Sequence, residues 1–253
     1  MRSTFSFPAL VKRMLLLLLL PLSFAPQHLS AGEIIGGWEA QPQSRPYMAF
    51  MNIEKGGHCG GFLIREDVVV TVAHCNCNLV TITVVLAVHN VSRQEPGRQE
   101  IWVRCRIPHP EYNDEILEND IMLLQLESLA QVNDWVRPIK LPEARQKVKP
   151  VTRCSVAAWG LTSSDTEKTS DVLMEVELPV KEDKFCKLYT WSDISHPAPC
   201  SVLQGDSGGT LVCGGVAQGI VSWDFKNQSP PEVYTRLSRF IPWIKKMMKK
   251  LPH

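Results

Sequence analysis

Gln204-Gly205-Asp206-Ser207-Gly208-Gly209 is a serine framed by glycines, with a carboxylate immediately before it. Glycine on either side lets the backbone turn sharply and approach a ligand with no Cβ in the way. In such a turn the amides of Gly205 and Ser207 point at one spot, where a carbonyl oxygen would become an oxyanion. Asp206 cannot act as base for Ser207, because adjacent side chains diverge; its charge needs a cation from elsewhere in the chain. A polar glycine-rich turn is the bland reading of a generic G-x-S-x-G. The full run is more specific than that pattern.

A serine hydroxyl is a poor nucleophile unless a histidine takes its proton, and that histidine needs a buried carboxylate to hold its tautomer. The chain supplies Thr71-Val72-Ala73-His74-Cys75 and Asn119-Asp120-Ile121-Met122-Leu123-Leu124, each beside an apolar run that reads as a strand. The order histidine, aspartate, serine is the chymotrypsin-type order, distinct from that of subtilisin or the α/β-hydrolases. On these motifs the chain resembles the trypsin/chymotrypsin-fold serine proteases, in particular the granzyme, cathepsin G and mast-cell chymase group. The resemblance runs from Ile34 to about Leu251. It implies an all-β fold of two six-stranded antiparallel Greek-key barrels with a C-terminal helix. It also implies catalytic roles for His74, Asp120 and Ser207, with no metal and no organic cofactor.

Residues 1–31 read as a signal peptide rather than part of the fold: a basic start, an apolar run from Met14 to Leu22, then a polar stretch. That run is much shorter than the ~20 residues a bilayer span requires. Gly32-Glu33 precedes Ile34-Ile35-Gly36-Gly37. A chain beginning at Ile34 carries a new α-ammonium on an apolar residue, which is the cation Asp206 lacks. Burying that pair is costly unless its geometry is good. The resemblance makes this a zymogen switch, with 32–33 a dipeptide trimmed by a dipeptidyl peptidase; a plain N-terminal strand is the alternative. The formal charge is +1, and loss of Arg2, Lys12, Arg13 and Glu33 removes +2, leaving −1. So even a balance argues against nucleic acid or bulk anionic membrane as partners.

Within 34–251, Arg45–Phe50, Cys59–Ile64, Val68–Val72, Thr81–Leu86 and Ile101–Val103 read as strands of a first barrel, about 34–138. The connector Trp135–Pro142, with its two prolines, marks the boundary. Cys154–Gly160, Leu173–Val180, Thr210–Cys213 and Val216–Trp223 fall to a second barrel, about 139–239. Phe240, Trp243, Ile244, Met247, Met248 and Leu251 share one face of a helix over about 240–251, with Ser238 as N-cap. Lys245, Lys246, Lys249 and Lys250 take the opposite face, read as solvated, with a heparin site as the alternative.

Eight cysteines behind a signal peptide imply an oxidising compartment. The resemblance selects Cys59–Cys75, Cys154–Cys213 and Cys186–Cys200. It leaves Cys77 and Cys105 with two open alternatives, a bridge to each other or free or intermolecular thiols. Sequons stand at Asn90 and Asn227, the second followed by Pro230.

By resemblance the primary pocket is walled by Ser201, Val202, Gln204, Ser222, Trp223, Asp224 and Glu232. Ser201 falls where trypsin has its aspartate, so a neutral base argues against strict trypsin specificity. Glu232 resembles the acid that cathepsin G carries on the pocket wall, which would admit lysine beside aromatic side chains. The chain departs from the family pattern in the short Cys200–Ser207 segment, in Asp224 for glycine, in Thr210 for proline and in Ala158 for glycine. Two functional readings follow. One is a monomeric, secreted or granule-stored endopeptidase acting on protein and peptide substrates and open to serpin-type inhibitors. The other is a catalytically silent family member acting as a binding or antimicrobial protein.

Overall fold

The strands expected around His74 and Asp120 close into a barrel. The computed structural model describes residues 37–54, 57–76, 80–163, 166–181, 200–201, 207–223 and 232–252. In chain order the first-barrel strands are β2 (Met48–Ile53), β3 (Gly57–Arg65), β4 (Val68–Thr71), β5 (Ile82–Leu86), β6 (Gln99–Pro108) and β7 (Met122–Leu126). They close in the antiparallel order β2-β3-β4-β7-β6-β5. Every residue of β4 and β7 is buried. Strands covered on both faces read as unbroken apolar runs rather than alternating ones. The one polar side chain inside β7, Gln125, donates to Asp67 Oδ2 at 3.4 Å and to the Pro252 carbonyl at 3.0 Å.

The second half supplies β8 (Arg153–Ala158), the hairpin β9 (Leu161–Ser163) and β10 (Thr166–Thr169), and β11 (Met174–Pro179). It continues with β12 (Cys200–Ser201), β13 (Thr210–Cys213), β14 (Val216–Trp223) and β15 (Glu232–Arg236). Six of these form the barrel-like sheet β11-β8-β13-β14-β15-β12. A short N-terminal strand, β1 (Trp38–Glu39), pairs with the edge strand β11. Strand β11 alternates with period two: Met174, Val176 and Leu178 enter a core with Val156, Leu211 and Tyr234, while Glu175 and Glu177 stay out. Residues Trp38 to Arg45 are thus hydrogen-bonded to the second sheet. Trp38 Nε1 and Arg45 Nε both donate to the Glu175 carboxylate, at 3.1 and 2.9 Å.

The connector is stitched to both halves, with Ile139 N–H donating to Leu63 O and Ala217 N–H donating to Lys140 O. His89, from the first half, accepts Leu173 N–H at 2.8 Å and Trp159 Nε1–H at 3.1 Å from the second.

The C-terminal helix α1 spans Leu237–Met248. The sequence places its start three residues later, with Ser238 as cap; instead Arg236 holds the N-cap position with no capping hydrogen bond from its side chain, and Ser238 lies buried inside the first turn. The physical reason lies at Pro242, which has no N–H to give to the Ser238 carbonyl. Arg145 N–H donates to that oxygen instead, at 2.9 Å. Phe240, Ile241 and Ile244 are buried, and the four lysines are exposed. Arg65, in the first barrel, donates to the Met248 carbonyl at 3.2 Å, a cation at the negative end of the helix. Among the described residues no helix is long and apolar enough to cross a membrane.

Candidate active site

Strand β4 ends at Thr71, and a single 3-10 turn, Ala73–Cys75, carries His74 out of it. Two bonds fix that turn to β3: the Cys59–Cys75 disulfide, and Thr71 Oγ1 donating to Gly60 O at 2.8 Å. The His74 side chain keeps a quarter of its surface exposed, while that of Asp120 is fully buried. A buried carboxylate is tolerable only if its oxygens are satisfied. Asp120 meets that demand. Oδ1 accepts His74 N–H at 2.9 Å, and Oδ2 accepts His74 Nδ1–H at 2.8 Å and Ser222 Oγ–H at 2.5 Å. Its carbonyl takes Thr235 Oγ1–H at 2.8 Å. An acceptor surrounded by donors is an ionised carboxylate, and such bonds are about twice as strong as neutral ones. With Nδ1–H directed at Asp120, Nε2 is left as the lone-pair nitrogen of the neutral ring.

Ser207 is half-buried in a turn pinned between the two halves. Its carbonyl accepts Gly60 N–H at 2.8 Å from β3. On the other side Gly208 N–H donates to Val221 O at 2.9 Å, and Gly209 O accepts Val221 N–H at 2.8 Å, both on β14. Gly208 has φ +88°, and a Cβ there would lie 1.9 Å from Gly60 O. Only glycine allows this approach. Gly60 follows Cys59, whose bridge reaches the residue after His74, so the Ser207 turn and the His74 turn hang from one short piece of β3.

Tyr112 lies in the loop leading to Asp120, and its phenol is pushed up to about 12 by burial, then by the charges of Asp120 and Asp114. Burial holds the His109 imidazole below its ordinary value; Glu111 opposes this, and Arg239 adds to it.

The structure therefore brings His74, Asp120, Ser222 and the Ser207 turn together. Ser222, expected on the pocket wall, is buried with its hydroxyl turned onto Asp120. Ser201 and Glu232, expected in the pocket, are direct register partners of β12 and β15, and Trp223 pairs with Val233. Glu33, Ile34, Val202, Gln204, Gly205, Asp206, Asp224, Cys77, Cys186 and Asn227 lie outside the described residues. Cys154–Cys213 is formed, and among the described residues Cys105 in β6 is a free thiol. Asn90 Oδ1 accepts Ser92 N–H at 2.9 Å, closing a turn on its own sequon. Thr235 was not singled out from the sequence. The only signal for it is its place in Tyr234-Thr235, alternating with a buried tyrosine.

The trypsin family model matches residues 34–244. The chain belongs to the trypsin family. Rat granzyme B is 48% identical over 93% of this chain and 99% of its own length. Bovine duodenase-1 is 46% identical over 94% of this chain and 97% of its own, and human cathepsin G 43% over 92% and 94%. The solved structure of GrC superposes with a TM-score of 0.77 at 40% identity, covering 85% of this chain and 99% of that one. This trypsin-family chain is a serine endopeptidase of the granzyme and cathepsin G type.

Proposed function

We propose that the protein cleaves peptide bonds through an acyl-enzyme formed on Ser207, with His74 as general base and Asp120 as the carboxylate that orients it. The observation that carries this reading is Asp120, buried and ionised, holding His74 Nδ1–H at 2.8 Å while the Ser207 turn hangs from Gly60. Nε2 takes the Ser207 hydroxyl proton as Oγ bonds to the carbonyl carbon. Asp120 stabilises the imidazolium without taking the proton itself. The imidazolium then protonates the departing amine, and water repeats the sequence on the ester. The amides of Gly205 and Ser207 hold the oxyanion, worth roughly 3–4 kcal/mol where such a donor is removed.

The enzyme is made with a leader, 1–31, and secreted or stored in granules. A dipeptidyl peptidase removes Gly32-Glu33, and the Ile34 ammonium pairs with Asp206. Serpin-type proteins are the expected inhibitors, and Asn90 and Asn227 are the sugar acceptors. Ser201 as a neutral base and Glu232 as an acid on the wall would make a pocket suited to aromatic and lysine side chains, and the two are backbone register partners across β12 and β15. The test is to cleave Glu33–Ile34 in vitro and offer peptide anilides ending in phenylalanine, leucine, lysine and aspartate. Turnover of the phenylalanine and lysine substrates is expected. Hydrolysis confined to aspartate overturns the pocket assignment, and no turnover of any substrate favours the silent, binding-only reading.

A further inference from the structure

Asp120 is enclosed by a ring of hydrogen bonds that passes through a second histidine. Asn119, immediately before it, donates from Nδ2 to Glu111 O at 2.8 Å. Glu111 N–H donates to His109 Nδ1 at 3.2 Å. His109 N–H donates to Ile121 O at 2.9 Å, immediately after Asp120, and Ile121 N–H returns to Asn119 O at 2.8 Å. Asn119 is left-handed at φ +56°, a conformation a non-glycine residue keeps only under restraint, though asparagine tolerates it best.

The His109 ring is itself held by α1. It meets Phe240 edge-on at 5.3 Å and Trp243 at 5.0 Å. Arg239 of the same helix pairs with Glu118 of the loop at 3.8 Å. We propose that His109 is a positioning residue for Asp120: its unprotonated Nδ1 closes the ring that fixes the carboxylate, and its protonation opens that ring. This inference rests on the orienting role of Asp120 given above.

The chemistry is a matter of donors and acceptors. Nδ1 accepts the Glu111 N–H only through its lone pair; a proton on that nitrogen sets donor against donor. The Glu111 amide then loses its partner, and Asn119 loses a restraint through the Glu111 carbonyl. The charged groups around the ring are Glu111 on its own turn, Arg239 from α1, Glu118 paired to Arg239, and Asp120 beside Ile121. Glu111 favours the imidazolium, while Arg239 and burial disfavour it. The neutral, ring-closing form is therefore the resting form near neutrality, and acid opens the ring.

The test uses the activated full chain and two variants. His109→Leu keeps an apolar side chain but removes the acceptor. His109→Asn puts an amide oxygen near Nδ1, able to take the same i+2 N–H in an Asx-turn, and does not titrate. Expected results are a several-fold fall in kcat for His109→Leu with KM changed less than about twofold, and recovery of kcat in His109→Asn. The acid limb of kcat should be steeper in wild type than in His109→Asn, which has no imidazole at this position to take a proton. Superimposable acid limbs, or wild-type kcat in His109→Leu, overturn the proposal.

A second readout needs no turnover and stands if the leucine variant does not fold. The His74 Nδ1 proton resonance should broaden as His109 titrates in wild type and persist in His109→Asn. Identical behaviour in both proteins also overturns the proposal. A wild type that shows this broadening but turns nothing over counts against the proposed function, not against this ring.

Discussion

Replacing Gly208 with alanine attacks the contact that places Ser207, the proposed nucleophile. An added Cβ would lie 1.9 Å from Gly60 O, 2.5 Å from Gly60 C and 2.9 Å from Gly60 N, all backbone atoms that cannot swing aside. A Cβ contact is essentially never closer than 3.0 Å, so the Ser207 turn and β3 must part by about 1.1 Å. That separation breaks the Gly60 N–H bond to Ser207 O, and the φ of +88° adds a steric cost of roughly 1–2 kcal/mol. Misplacing a reacting group by about 1 Å costs on the order of 100-fold in rate. We expect kcat/KM for a peptide anilide to fall by about that factor, while the melting temperature drops only a few degrees.

Gly214→Ala is the control. Gly214 also has positive φ, +58°, but nothing lies within 4 Å of its added Cβ. It should show the strain and keep full activity. Gly60→Ala, whose Cβ would meet Gly208 at 3.0–3.1 Å, should fall between the two. Near-wild-type kcat/KM in a folded Gly208→Ala protein, or equal losses in Gly208→Ala and Gly214→Ala, would refute the docking argument.

Three further outcomes are expected. Ser222→Ala removes one donor from the buried Asp120 carboxylate; at about 2 kcal/mol for a charge-assisted bond, kcat should fall roughly 10- to 30-fold with little change in KM. Equal loss in kcat and gain in KM would make Ser222 a pocket residue after all. Tyr112 should titrate at about 12 in the folded enzyme by carbon NMR of labelled tyrosine, and Asp120→Asn should lower that midpoint. The raised value means stability is full below the unfolded tyrosine value of ~10 and falls as pH rises toward 12. A folded-state midpoint near 10 refutes it. Asp67 is pushed up by burial, but the Arg65 bond and charge outweigh this, so its carboxyl lies below the usual range. Its contribution is therefore present above an unfolded value of ~4 and lost as pH falls through the depressed native value. Urea melts at stepped acid pH should show a smaller acid loss in Arg65→Gln, and unchanged slopes would contradict this.

How much of this was legible in the sequence follows from the range of each interaction. The buried runs of β4 and β7 announced themselves because residues covered on both faces are, apart from Thr71 and Gln125, apolar, and His74 and Asp120 stand close to their ends. The face of α1 was legible for the same reason, a period. Its start was not: Arg145, distant in sequence, satisfies the Ser238 carbonyl that Pro242 leaves open. Thr235 bonds Asp120 across 115 residues, and Ser222 across 102; no local pattern encodes either bond. The pairing of β1 with the second sheet was equally hidden, because two residues carry no periodicity. Ser222 shows a further limit. Family likeness located it beside the site, yet only the geometry showed which neighbour its hydroxyl serves.

The most direct measurement is mass spectrometry of the chain cut at Glu33–Ile34 and exposed to a serine-reactive phosphonate. One adduct per molecule is expected, on Ser207, and none on His74→Ala or on the uncut chain. Absence of the adduct from the folded, processed protein would contradict the role proposed for Ser207.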